Sequence, residues 1–389
     1  MSFDDIIDRR NTHSVKWDVM EALYGVPAEE GLSMWVADMD FRAPDCIQAA
    51  VQKMRDHGVY GYYGDDAAYR AAIQWWMKER HGWSLNPKAI FTTHGLVNGT
   101  AMCVDTFTKP GDGVLLFTPV YHAFAKVIRA NDRRVVESPL VMRNGRYEMD
   151  FDHAAEAVKA QGASMVILCS PHNPSGRVWE RAELEALAAF ATEHELVLVS
   201  DEIHHDLVFS GAKHIPMTLV TGNEGCIMMT ASTKTFNIAG SHSGNVIIHE
   251  PQMRAKFEKR MMGLGLSPNS FGLFMAEAAY SPEGAAWVDQ CVSYIGENAR
   301  VFDEGVNSIP GVISMKMAST YLAWVDFSGT GMSPAEVQMR VEKEAKIAAN
   351  HGATFGTGGE SFMRFNLAMP RVQIEEAVVR LKAAFADLQ

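Results

Sequence analysis

At 389 residues, 47% of them hydrophobic, the chain is long enough to bury a large core and to divide into two domains. Its 35 basic residues against 47 acidic ones leave a net charge of −12, which argues against general binding of nucleic acid or anionic membranes. Five scattered cysteines without a C-x-x-C pair, an acidic M-S-F-D-D-I-I-D-R-R start and no apolar run near the ~20 residues of a spanning helix point to a cytoplasmic protein with reduced thiols.

From about residue 90 to 250, short β-rich runs alternate with helical patterns. The expected strands are Ala89–Thr93, Gly113–Phe117, Arg134–Ser138, Ser164–Cys169, Leu196–Ser200, Cys226–Thr230 and Asn245–His249. Several are continuous apolar runs, as in a sheet covered on both faces. Between two of them, Arg181–Glu195 places Leu184, Leu187, Ala188 and Ala191 on one helical stripe. This alternation predicts an α/β fold with a mostly parallel, wound sheet of seven strands.

After about residue 290 the texture changes. Helices are expected near Ala286–Ile309, Pro334–Glu344 and Val372–Leu388, flanking strands Tyr321–Phe327 and Phe362–Ala368. The stripe Ile374, Val378, Leu381 and Phe385 on the last helix reads as core. The implied organisation is an N-terminal segment (1–45) joining a small α+β domain (286–389), with a large domain (46–285) between them.

Ligands of such sheets collect at the carboxyl ends of the strands. Three polar motifs fall there: S-P-H-N-P-S-G-R from Ser170, S-D-E-I-H-H-D from Ser200 and A-S-T-K-T-F-N-I-A-G from Ala231. They offer an amide (Asn173), a carboxylate (Asp201) and an amine (Lys234). A lone lysine is a solvated charge, and H-N-P-S-G is a turn in its own right. Together, however, the three supply what a pyridine aldehyde needs: an amine for a Schiff base, an acid to keep the ring nitrogen protonated, and a donor to the ring phenolate. Burial would lower the lysine's pKa and favour its neutral form.

In this ordered trio the chain resembles the pyridoxal-phosphate (PLP) enzymes of fold type I, the aspartate aminotransferase superfamily. More narrowly it is similar to the MalY/PatB-like branch of cystathionine and cysteine-S-conjugate β-lyases. His204, three residues after Asp201, stands where ordinary transaminases carry tyrosine. His242, eight after Lys234, stands where many carry arginine. The segments M-W-V-A-D-M-D-F from Met34 and H-G-V-Y-G-Y-Y-G from His57 extend the likeness. The resemblance implies PLP as cofactor, with Lys234 as the catalytic base. It further implies that Asp201, Asn173, His204 and a stacking Tyr121 hold the ring. Gly95, Leu96 and Val97 at a helix start, with Ser232 and Thr233, would hold the phosphate. Arg364, in F-M-R-F-N-L-A, would clamp the substrate carboxylate. Trp35 and Ala37 would line the entrance, and Tyr62 would reach the cofactor phosphate of a second subunit in a homodimer.

The reaction implied is β-elimination of a cysteine S-conjugate, with amino-group transfer as the alternative and a PLP-bound regulator as a third reading. No metal site is expected. No H-E-x-x-H occurs, and adjacent histidines such as His204 and His205 rarely converge on one ion. A dinucleotide fingerprint is absent, because G-T-G-G-E-S-F at Gly356 precedes a strand and lacks the last glycine. No P-loop occurs, and G-S-H-S-G at Gly240 carries histidine where a hydrolase elbow needs serine.

Overall fold

The computed structural model describes residues 2–388. All seven expected strands form and join one sheet: β1 (Ile90–Thr93), β2 (Gly113–Thr118), β3 (Arg134–Pro139), β4 (Ala163–Cys169), β5 (Val197–Asp201), β6 (Ile227–Thr230) and β7 (Gly244–Ile247). Their order is β1-β7-β6-β5-β4-β2-β3. Only β7 runs antiparallel to its neighbours, so the sheet is mostly parallel, as expected.

Strand alternation divides the side chains between two cores. Leu115, Phe117, Val166, Leu168 and Leu198 face one way, onto helices Ala67–His81 and Arg181–Glu193. Val114, Leu116, Met165, Ile167 and Val199 face the other, onto helices Leu96–Phe107 and His122–Ala130. A sheet with both faces covered explains the unbroken apolar runs.

A second sheet, ordered β8-β9-β11-β10, contains β8 (Ile313–Ser314), β9 (Leu322–Asp326), β10 (Asn350–His351) and β11 (Phe362–Asn366). It packs with helices Pro282–Val306 and Arg371–Ala384 around Phe302, Phe365, Ile374, Leu381 and Phe385. Helix Pro282–Val306 begins four residues earlier than the apolar period suggests. Ser281 accepts from the Gly284 amide and Pro282 occupies the first turn, where a missing N–H costs nothing. At Gly305 this helix meets the last one so closely that an added Cβ would lie 2.3 Å from Val378 Cγ1. Leu32–Ser33 pairs in parallel with Ile347–Ala348 in a separate two-stranded sheet, tying the N-terminal segment to the chain just before β10.

Buried charge fastens the stretch that follows. Lys16 is fully buried and donates to Asp40 Oδ2 at 2.7 Å. Arg9 donates to Asp38 Oδ1 at 3.0 Å and to Asp40 Oδ1 at 2.7 Å, and Trp17 Nε1 adds a third donor to Asp40. Two cations thus balance two carboxylates, with Lys16 and Asp40 buried and Arg9 and Asp38 partly exposed. Lys16→Met is expected to leave Asp40 Oδ2 without its cation while Arg9 and Trp17 still hold Oδ1, and to cost about 1–3 kcal/mol, read as a lower midpoint in urea denaturation.

Candidate active site

The loops after β4, β5 and β6 converge because the three strands are adjacent and in register: Cys169 lies opposite Asp201, and Asp201 opposite Met229. They bound a cavity of about 260 Å³, lined by Asn173, Asp201, His204, Thr233 and Lys234, with Gly95, Leu96, Val97 and Tyr121 across from them. Ala37 lines it as well.

Lys234 sits in the short helix Ser232–Thr235, which directly follows β6. Its Nζ donates to the Ala37 carbonyl at 2.5 Å, and Tyr321 Oη donates to the same oxygen at 2.9 Å. Burial brings the Lys234 pKa down to about 8, helped by Arg364 and opposed by Asp38 and Asp201. Near neutrality a useful fraction of this amine is therefore unprotonated.

Asp201 ends β5 and is 5% exposed. Its Oδ1 accepts only the Ile203 amide, at 3.1 Å. Burial pushes its pKa up to about 7, so the carboxylate lacks the counter-charge that such enclosure calls for. A protonated pyridine nitrogen is a group of that kind.

Arg364 extends from β11 into the space beside Asn173. Its Nη1 donates to Asn173 Oδ1 at 3.0 Å, while Nη2 donates to the Trp35 carbonyl at 2.8 Å and to Asn350 Oδ1. With Oδ1 engaged, the Asn173 amide presents its Nδ2 donor to the cavity. Burial lowers even this guanidinium to about 10 and leaves Nε without a partner. A bound carboxylate would relieve both. Arg364→Lys keeps the charge but loses the two-pronged geometry, and it is expected to raise KM for an amino-acid substrate roughly tenfold or more with a smaller change in kcat, measured by steady-state kinetics.

The helix Leu96–Phe107 starts at the cavity wall. Gly95 caps it at φ 80°, a left-handed value that glycine adopts freely. The Gly95 N–H already donates to the Thr93 carbonyl at 2.9 Å, so it is not a free donor to an anion. The first-turn amides of Leu96 and Val97 have no helical acceptor and remain for one. Ser232 is buried beside Thr233 but does not line the cavity.

Two expected residues lie elsewhere. The Trp35 ring does not line the cavity: it packs on Tyr24, with Nε1 donating to the Lys16 carbonyl, and only its main-chain oxygen serves the site. Tyr62 is fully exposed and lines a separate, larger hollow with Tyr60, Tyr63 and Phe274.

Ala37 lines the cavity as expected, though through a main-chain carbonyl. Other groups at the site carried no readable mark in the sequence: Asn350 and Tyr321, which bond to Arg364 and to the Ala37 oxygen, are far from the motifs, and His94 has an exposed helix-start context. The resemblance singled out His242 only as a departure; it too lines the cavity.

Residues that await a phosphate, a ring cation and a carboxylate, set around a buried amine at the strand ends, define the PLP-dependent, aminotransferase-like class of fold. Residues 35–381 match the family described as aminotransferase class I and II, and the chain belongs to that family. It is 40% identical to cystathionine beta-lyase PatB of Bacillus subtilis (strain 168) over 99% of this chain and 100% of that one. It is 29% identical to protein MalY of Escherichia coli (strain K12), covering 97% of each. Among solved structures, cystalysin from Treponema denticola, which contains pyridoxal 5'-phosphate, superposes with a TM-score of 0.94 at 34% identity, covering 100% of this chain and 99% of that one. The PLP-bound C-S lyase from Staphylococcus hominis gives 0.91 at 29% identity, covering 99% and 98%. Among the described residues no helix is long and apolar enough to cross a membrane.

Proposed function

We propose that the protein is a PLP-dependent carbon–sulfur β-lyase that cleaves L-cystathionine or a related cysteine S-conjugate to a thiol, pyruvate and ammonia. The observation that carries this reading is the full-length similarity to PatB, whose name states this activity, on a chain that keeps a buried amine and acid lining one cavity and a buried guanidinium bonded to its Asn173 wall. PLP, when bound, supplies an electron sink that makes the substrate Cα–H acidic.

This chain's residues do the rest. Asp201 would keep the ring nitrogen protonated, Asn173 would donate to the ring oxygen, and Tyr121 would pack against the ring. The Leu96 and Val97 amides with Thr233 would hold the phosphate, with Ser232 behind them outside the cavity lining, and His204 would border the ring. Arg364, aimed by Trp35, Asn350 and Asn173, fixes the substrate α-carboxylate. Lys234, in its neutral form, takes the Cα proton. The electron pair freed at Cα forms the Cα–Cβ double bond as the Cβ–S bond breaks. The thiolate leaves with the sulfur electrons, and the unsaturated product hydrolyses to pyruvate and ammonia.

The test is incubation with L-cystathionine and no keto acid. Sustained pyruvate and thiol release over many turnovers is the expected result. Turnover that appears only when a keto-acid acceptor is added would replace the lyase with an aminotransferase, and PLP binding without either reaction would favour a regulator.

The same reading places the protein in the cytoplasm as a homodimer, divided as 1–45, 46–285 and 286–389, with Tyr62 reaching the partner's phosphate. The support is a fully exposed tyrosine in an apolar hollow beside exposed Val59 and Tyr60. Mixing Tyr62→Phe chains with Lys234→Ala chains is expected to restore activity at one of the two sites of each hybrid dimer, measured as recovered pyruvate release.

A further inference from the structure

Behind the Asp201 loop lies a second cluster that the proposed lyase chemistry does not use. His204 and His205 diverge: His204 faces the cavity, while His205 turns away toward His81, which comes from the helix Ala67–His81. The His81 and His205 rings lie 4.6 Å apart between centroids, and His214 adds a third imidazole 5.9 Å from His81. Asp206 stands among them. Its Oδ1 is 2.8 Å from His81 Nε2 and its Oδ2 is 3.2 Å from His205 Nε2.

The protonation pattern of this cluster is incomplete. His205 Nδ1 faces the Glu202 carbonyl, which can only accept, so Nδ1 carries the ring proton and Nε2 holds a lone pair. That Nε2 is buried and makes no hydrogen bond, although a carboxylate oxygen lies 3.2 Å away. Two electron-rich atoms face one another out of water, which is unfavourable unless a cation sits between them. The backbone carbonyl on Nδ1 is also the outer contact that metal-bound imidazoles use to fix their orientation. One ligand atom from each of His81, His205 and Asp206 lies within 4.8 Å of the others. A hollow of about 300 Å³ lined by His81, His205, His214 and Lys213 gives access from the surface.

We propose that His81, His205 and Asp206 form a binding site for a borderline divalent transition metal, represented by Zn²⁺. Two imidazoles and one carboxylate suit this ion, and closing on it takes a small inward movement together with loss of the proton that His81 Nε2 donates to Asp206 Oδ1. The open hollow leaves room for water as a fourth ligand, since His214 Nε2 is paired with Glu202 Oε2 at 2.7 Å. The sequence offered no hint, because His81 and His205 are 124 positions apart. The site adjoins the cofactor loop: Thr235, next to Lys234, donates to Asp206 Oδ2 at 2.8 Å, and Trp76 Nε1 donates to the same carboxylate. Metal binding therefore competes with Thr235 for Asp206 and braces the loop that carries Lys234.

The experiment is calorimetric titration of Zn²⁺ into tag-free, PLP-loaded protein after treatment with a chelator, with Mg²⁺ as control. One Zn²⁺ per chain is expected, with no Mg²⁺ binding, and with affinity weakened at least about tenfold in His205→Ala and in His81→Gln. Thermal denaturation with and without Zn²⁺ gives a second readout: the parent should be stabilised and both variants should not. His81→Gln retains an amide toward Asp206, so it keeps the test valid if His205→Ala fails to fold. Absence of a one-to-one event in the parent, or unchanged affinity in a folded variant, would overturn the site.

Discussion

Lys234→Ala is expected to lower the rate of thiol and pyruvate release by about four orders of magnitude, while the protein remains folded. The side chain contributes an amine to the cavity and one hydrogen bond, to the Ala37 carbonyl. That carbonyl keeps the Tyr321 hydroxyl as a donor, so little of the surrounding structure should change. The proton that Lys234 would remove from Cα has no second acceptor of matching strength at the same place. His204 is buried with its pKa held well below the usual imidazole range, chiefly by desolvation, and Tyr321 is pushed well above the phenol range by the same cause. Single-turnover kinetics with L-cystathionine, and loss of the visible absorption that a pyridine aldehyde gains on attachment to the amine, are the measurements. Retention of more than a few per cent of the parent rate would remove Lys234 from the chemistry and the proposal with it.

Asp201→Asn should move activity and stability in opposite directions. Without its carboxylate the ring nitrogen loses the partner that keeps it cationic, and catalysis is expected to fall at least about 100-fold. In cofactor-free protein the sign of the stability effect is reversed. The folded-state pKa of Asp201 is raised from 3.8 to about 7, so between these values the folded chain binds more protons than the unfolded one. Stability then declines as pH rises through that window, by up to about 4 kcal/mol once pH exceeds 7. Lys234 does not disturb the comparison: its pKa is lowered from 10.5 to about 8, so its own penalty is complete and nearly constant below pH 8. Thermal melting of the cofactor-free protein at pH 5 and pH 7.5 should show a fall for the parent and a flatter response for Asp201→Asn. Bound cofactor should suppress the fall, because a ring cation offsets the buried charge. A parent protein equally stable at both pH values would mean that Asp201 is not enclosed as described.

How far each part of the site could be read in advance follows from the range of the forces involved. All seven strands were legible because a strand covered on both faces must be apolar along its length, which is a local property. Element ends were less so. The helix starting at Pro282 is set by the Ser281 cap, and the helix expected over Pro334–Glu344 is regular only to Met339, widening over Arg340–Glu344. The meeting of Asn173, Asp201 and Lys234 at one cavity could be read in advance because a sheet of this type delivers strand ends to one edge. Arg364 needed the resemblance, since nothing local distinguishes a strand arginine aimed inward from one aimed at solvent.

Trp35 shows the opposite failure. Its sequence context suggests an entrance residue, yet its ring fills space against Tyr24 and its carbonyl aims Arg364. Gly95 was expected to give an N–H to an anion, but the tight turn into the helix consumes that N–H on Thr93. The charged set Arg9, Lys16, Asp38 and Asp40 was unreadable because an ion pair is identified by what encloses it, and enclosure is assembled from distant segments.

The sequence by itself determined the wound sheet, the order of its strands along the chain and the three polar clusters at the strand ends, because periodicity and turn chemistry act over a few residues. Only the tertiary structure decided which way each side chain and carbonyl faces. It placed Lys234 on the Ala37 oxygen, turned Asn173 by engaging it with Arg364, and sent His204 and His205 to opposite sides of one loop. Those choices depend on packing between segments as distant as Trp35 and Arg364, 329 positions apart. Burial, not spacing, then sets the protonation of the groups that meet there.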